Sequence, residues 1–218
     1  MLATSDAQRL NAMKFEHACF ISFPRGPGND TKFADEFFNV FTKHLADFDK
    51  NLSIFKYDRC EHRRQGDDWA QWIQRELCHS ASMIAVCAPN YFNGSPACVS
   101  EFRGMETLIE SRTAALGEKT RDWLLGVRLK DTVPMPALNP YDVRDFLDCC
   151  VSPKRVYSVQ KNREAVEKLA NRVYNHWNWV HSKGRNQLLG QADICGQFTL
   201  PRKAAEQADP FPHAGAVT

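Results

Sequence analysis

Short apolar runs alternate along this chain with segments whose apolar residues recur at helical spacing. Residues 18–23 read Ala-Cys-Phe-Ile-Ser-Phe and run directly into Pro24, Arg25, Gly26, Pro27, Gly28 and Asn29, as a buried strand ending in a loop does. Asp30 or Thr31 can cap the next helix, in which Phe33, Phe37, Phe38, Phe41, Leu45 and Phe48 share a face. Residues 52–57 predict a second strand and 59–66 a strongly polar loop. Asp68 with Gln71 resembles a capping box, opening a helix that gathers Trp69, Ile73 and Leu77 on one side. Residues 82–88 are almost continuously apolar, the pattern of a strand covered on both faces. Ser95 and Pro96 supply an N-cap and a first-turn proline for a helix reaching about Glu110. Residues 123–129 and 155–159 predict a fourth and a fifth strand. The last helix, over 161–180, turns Val166, Leu169, Val173, Trp177 and Val180 inward. This alternation implies a parallel sheet of five strands with helices on both faces, joined by right-handed crossovers.

Residues 1–15 read as a polar lead-in and 16–181 as the folded domain. From 182 to 218 the period decays: Gly184, Gly190, Gly196, Pro201, Pro210, Pro212 and Gly215 predict a tail that is partly ordered at best. The length of 218 residues, against about 100–200 for a typical domain, suits one domain plus some extra. A net charge of +2 gives no reason to expect nucleic acid or an anionic membrane as partner. No stretch approaches the roughly 18 consecutive apolar residues of a membrane span, and no apolar run near the start suggests a signal peptide. A cytoplasmic protein is the expectation. Its eight cysteines (Cys19, Cys60, Cys78, Cys87, Cys98, Cys149, Cys150, Cys195) are scattered without a C-x-x-C pair, which predicts free thiols and no zinc site.

Ligands of open parallel sheets bind outside the carboxyl ends of the strands, which draws attention to 23–29, 58–69 and 89–98. On the helix beginning at Pro96, Ala97, Cys98, Phe102, Met105, Leu108 and Ile109 form the apolar stripe, and Glu101 falls inside it. An inward carboxylate is costly unless it is paired or used, so Glu101 is either a structural acid or a functional group. Glu76 poses the same question beside Ile73 and Leu77. Position separates them, because Glu101 lies in the second turn of its helix, near the strand ends, and Glu76 further from its helix start. Pro24 to Gly28 is either a plain turn or a phosphate contact made through Arg25, and it lacks the dinucleotide and P-loop fingerprints. Arg59, His62, Arg63 and Arg64 stand among Asp58, Glu61, Asp67 and Asp68, as in a solvated or protein-binding loop.

Several of these features in order resemble a Toll/interleukin-1 receptor (TIR) domain over about residues 16–180. They are the first strand Cys19-Phe20-Ile21-Ser22-Phe23, the polar loop after strand two, and Ser82 to Phe92 with Ala88 where the family's turn has serine. Ser95 to Glu101 is similar to the family's Ser-x-x-Cys-x-x-Glu helix, and Leu138 to Arg144 to its segment after strand four. The resemblance implies a flavodoxin-like open sheet. It also implies one of two functions: an enzyme that cleaves NAD+ between nicotinamide and ribose, or a catalytically silent adaptor that associates with like domains.

In the enzymes the acting residue is the glutamate that maps to Glu101. Phe23, Arg25, Asp58, Trp69 and Cys98 map to positions bordering the substrate. Many of these enzymes carry tryptophan where this chain has Ala97, so the pocket wall must be built differently. NAD+ enters as substrate, with no resident cofactor. The resemblance to stand-alone microbial TIR proteins further implies homo-oligomers, a separate sensor or effector protein, and a role in immune signalling or antiviral defence.

Overall fold

Four apolar segments and one charged segment lie side by side in a single sheet. The computed structural model describes residues 15–25, 29–57, 69–117, 122–129, 141–150 and 152–182. Strands β1 (Cys19–Ser22), β2 (Ile54–Phe55), β3 (Met83–Cys87), β4 (Leu124–Arg128) and β5 (Asp142–Asp145) take the order β2-β1-β3-β4-β5, every pair parallel. The architecture is an open, flavodoxin-like α/β sheet, and its chain order reverses between β1 and β3.

Helices α1 (Asn29–Phe48), α2 (Trp69–Cys78), α3 (Pro96–Leu116), α4 (Arg155–Ser158) and α5 (Gln160–His181) cover it. Alternate residues of a strand point to opposite faces, which sorts the core into two layers. Ile21, Ile84, Val86, Leu125 and Val127 pack on Phe33, Phe37 and Phe41 of α1 and on Val166, Leu169 and Val173 of α5. Phe20, Met83, Ala85 and Cys87 pack on Ile73 and Leu77 of α2 and on Phe102, Met105 and Leu108 of α3. By the same parity Ser22, two residues beyond Phe20, faces α3 from the carboxyl end of β1. The start of α3 is fixed by Ser95, whose hydroxyl accepts the Cys98 N–H at 3.4 Å, and by Pro96. The helix continues past Glu110 to Leu116, where Gly117 at φ +66° ends it in the left-handed conformation open to glycine.

Two expectations are corrected. Residues 155–159 are not a strand: Arg155–Ser158 is a helical turn in which Ser158 N–H donates to the Lys154 carbonyl and Val159 N–H to that of Arg155. The fifth strand is instead Asp142–Asp145, whose charged, half-exposed sequence carries no apolar signal because it is an edge strand, where charges are tolerated. Its neighbours hold it: Arg128 pairs with Asp145 at 2.6 Å, and Arg172 of α5 bonds both Asp142 and Asp122.

The other correction concerns the thiols. Cys78 is disulfide-bonded, whereas Cys19, Cys87, Cys98 and Cys149 are free and buried. Sequence spacing says nothing of such a bond, which depends on two Cα atoms lying roughly 4.4–6.8 Å apart in the folded chain. Thiol titration of denatured, unreduced protein is expected to return fewer thiols than the eight cysteines. A full count of free thiols would remove this bond from the native protein.

Candidate functional site

Ser22, the last residue of β1, and Glu101, in the second turn of α3, meet at the carboxyl edge of the sheet where the chain order reverses. The Ser22 hydroxyl donates to Glu101 Oε2 at 2.5 Å, and the Tyr91 hydroxyl, from the turn after β3, lies 2.7 Å from Ser22 Oγ. All three side chains are buried, Glu101 being 7% exposed. Burial pushes the Glu101 carboxyl from its ordinary 4.5 up to about 7, against the lowering effects of the Ser22 hydrogen bond and the nearby Arg25 charge. Burial and the neighbouring acid likewise push the Cys98 thiol well above its ordinary range. Cys98 is therefore a neutral group packed beside Glu101, without the thiolate character of a nucleophile.

A cationic and aromatic wall stands next to this acid. Phe23 follows Ser22 and is almost fully buried. The Arg25 guanidinium lies 3.6 Å from the centre of the Tyr57 ring and 5.9 Å from that of Phe23. Lys56, also buried, sits 4.8 Å from the Phe23 ring centre and pairs with Asp35 at 2.6 Å. The carboxyl ends of β1, β2 and β3 contribute together with the first two turns of α3, where ligands of sheets of this kind bind.

Phe23, Arg25, Cys98 and Glu101 thus lie together at this edge. Asp58 lies outside the described residues, and Trp69 opens α2 with its side chain outside them. Ser22, Tyr91, Lys56 and Tyr57 were not singled out in the sequence. Ser22 carried a readable signal, being the one hydroxyl in the first apolar run and two positions beyond Phe20. Tyr91 carried none, since an aromatic residue after a buried strand reads as core.

Glu76 answers its own question differently. It is equally buried, but it lies at the opposite edge of the sheet, where His17 Nε2 approaches one oxygen at 2.9 Å and Arg75 donates to the other at 2.6 Å. Burial raises its pKa, yet the hydrogen bonds and charges of His17 and Arg75 outweigh burial and leave it below the ordinary value. Two acids of equal exposure are therefore shifted in opposite directions: Glu101 is the more deeply enclosed, and it is the one held without a salt bridge among the described residues.

A separate groove of about 640 Å³, lined by Glu36, Phe38, Thr42, His44, Tyr157 and Arg163 among others, lies on the α1 and α5 layer and shares no residue with this cluster. Among the described residues no three His, Cys, Asp or Glu side chains are placed to hold a metal ion. No described helix is long and apolar enough to cross a membrane. No protein-family model, curated protein or solved structure matches the chain.

The two acids make opposite predictions for stability. A carboxyl whose folded pKa is raised stabilises the native state only while protonated, so wild type loses that contribution as pH rises from the ordinary 4.5 through about 7. Glu101→Gln is therefore expected to gain stability over wild type across that range, by up to about 3 kcal/mol above it. Glu76→Gln is expected to lose about 1 kcal/mol at neutral pH, a deficit that shrinks in acid as wild-type Glu76 protonates. Urea denaturation of the three proteins at several pH values checks both signs.

Proposed function

We propose that this chain is a TIR-type enzyme that cleaves the nicotinamide–ribose bond of NAD+. The products are nicotinamide and ADP-ribose, or a cyclic or conjugated ADP-ribose signal. The observation that supports this most is Glu101 itself: a buried carboxylate at the carboxyl edge of the sheet's reversal point, held by a hydroxyl and shifted towards neutrality.

The chemistry asks little else of the protein. When the glycosidic bond breaks, its electron pair returns to the pyridinium nitrogen and nicotinamide leaves neutral, so no acid is needed to protonate it. Positive charge develops on the ribose, and a fixed carboxylate in a poorly hydrated pocket stabilises that charge. Ordinary glycoside hydrolysis needs a second carboxyl to protonate its leaving group. The charged and aromatic groups of Arg25, Phe23, Lys56 and Tyr57 suit a diphosphate and a flat base. Asp58 and Trp69 join them by resemblance alone.

The same resemblance supports assembly through contacts between like domains, a separate sensor or effector protein, and cytoplasmic action in immune signalling or antiviral defence. The disulfide at Cys78 is unusual for a reducing compartment, so the thiol count bears on that placement as well.

Concentrated protein incubated with NAD+ is expected to release nicotinamide, with chromatography identifying the second product. Glu101→Gln should lower the rate at least ~10²-fold while the protein stays folded, since only the charge is removed. Turnover per folded molecule should be unchanged in Glu76→Gln. Because the ionised carboxylate is the acting form, wild-type kcat/KM should fall as pH drops through about 7. NAD+ left intact by concentrated wild type, or normal turnover by Glu101→Gln, overturns the enzyme reading in favour of the silent adaptor.

A further inference from the structure

The contacts of Glu101 have a direction that follows from counting protons. Tyr91 is fully buried, and among the described residues its hydroxyl has no hydrogen-bond partner except Ser22. The phenol proton has one acceptor to go to, Ser22 Oγ. A serine hydroxyl carries one proton of its own, and with Oγ accepting from Tyr91 that proton points to Glu101 Oε2. The chain is then Tyr91 O–H to Ser22 O–H to carboxylate. A proton on Oε2 would meet the Ser22 proton head-on, and reversing the chain would strand the phenol proton in a dry interior, which is costly.

We propose that Tyr91 and Ser22 form a one-way hydroxyl relay that orients the Glu101 carboxylate and favours its charged form. The relay deepens the proposed function, and its consequence for turnover rests on that reading. Ser22 and Tyr91 are positioning residues, acting through Glu101. Among the described residues, the other titratable or charged groups facing the cluster are Arg25 beyond β1, Cys87 at the end of β3 and Cys98 on α3. Arg25 favours the carboxylate. Burial raises both thiols, which keeps them neutral. A neutral Cys98 sulfur is a weaker acceptor for the Ser22 proton than a carboxylate oxygen is. Tyr91 itself is held neutral by burial, so it remains a donor.

The test is the titration of the Glu101 carboxyl carbon, followed by NMR in the full-length chain labelled with ¹³C-glutamate and assigned by the signal missing from Glu101→Gln. Ser22→Ala is expected to raise the midpoint by about one pH unit, because the hydrogen bond favouring the charged form is gone. Tyr91→Phe should raise it by roughly half as much, since it frees the Ser22 proton without removing it. Because Tyr91 acts through Ser22, the double variant should titrate like Ser22→Ala alone. The acid limb of kcat/KM for NAD+ should move with each midpoint, which a merely structural role would not cause.

An unmoved or lowered midpoint in Ser22→Ala, or additive shifts in the double variant, overturns the relay. Should Ser22→Ala fail to fold, Ser22→Cys keeps the shape with a weaker donor and the same upward shift is expected. Midpoints that move as stated in a protein that never cleaves NAD+ leave the relay standing and sink the enzyme reading. Glu101-dependent cleavage with unmoved midpoints does the reverse.

Discussion

A carboxylate shut away from water and held by a hydroxyl is the constraint around which the carboxyl edge of this sheet is organised. Burying an ion costs several kcal/mol even after relaxation, so the groups around Glu101 must be placed to compensate. Strand parity turns Ser22 towards α3, and its neighbour in register on β3 is Ala85, small enough to leave the space between strand and helix to the acid. The other requirement is helical phase. One residue of slip at the start of α3 would swing Glu101 by about 100°, and the Ser95 cap with Pro96 behind it prevents that slip. A local capping rule in the sequence therefore determines where the charge of the candidate site stands.

The opposite edge of the sheet shows what this chain does with a buried charge that has only a structural task. Glu76 is bonded to His17 and Arg75 and ties the entry of β1 to the end of α2. Nearby Arg112, wholly buried, donates to the Cys78 carbonyl at 2.9 Å and lies against the rings of Phe15 and Trp123. His176 stacks on Trp179 and meets Trp123 edge-on. Charge at this end is embedded among partners and rings. At the Glu101 end the aromatic groups line one side and, among the described residues, the carboxylate has one hydrogen-bonding hydroxyl and the nearby Arg25 charge. Under the proposed reading, this asymmetry between two acids of equal exposure is what would distinguish a group kept available from a group used as a fastener.

What the sequence disclosed and what it hid divide along physical lines. Phe33, Phe37 and Phe41, or Met83 to Cys87, were legible because burial is periodic and period is written in order along the chain. The edge strand at Asp142–Asp145 was not, because its stability comes from ladder bonds to β4 and from Arg128 and Arg172, none of them neighbours in sequence. Residues 155–158 misled for the complementary reason: Val156 and Tyr157 have strand-like character, but only Val156 is buried, and a short helical turn buries it as well. Glu101 was found because a charge interrupts an apolar stripe. Its partner Ser22 left only the faint mark of one hydroxyl in an apolar run, Tyr91 behind it reads as core, and the meetings of Ser22 with Glu101 and Tyr91 across 79 and 69 positions are a property of the crossover between β1 and β3.

The placement of the Glu101 midpoint carries one further consequence. At about 7 the acid is divided between its two forms near neutrality. A wholly ionised carboxylate would stabilise a ribose cation best but would be a poor proton acceptor, since a weak base gains little by taking a proton. A wholly protonated one would do neither. Under the proposed reading the same oxygen pair must first oppose the developing charge and then receive the proton of whatever nucleophile closes on the ribose. Burial strengthens the hold of the ionised carboxylate on the ribose charge and makes it a better proton acceptor, but it lowers the share that is ionised, and on that share the Ser22 hydrogen bond acts the other way. If the chain cleaves NAD+ as proposed, the balance between a dry pocket and one hydroxyl donor would set how a single carboxylate divides itself between two steps for which ordinary glycosidases employ two.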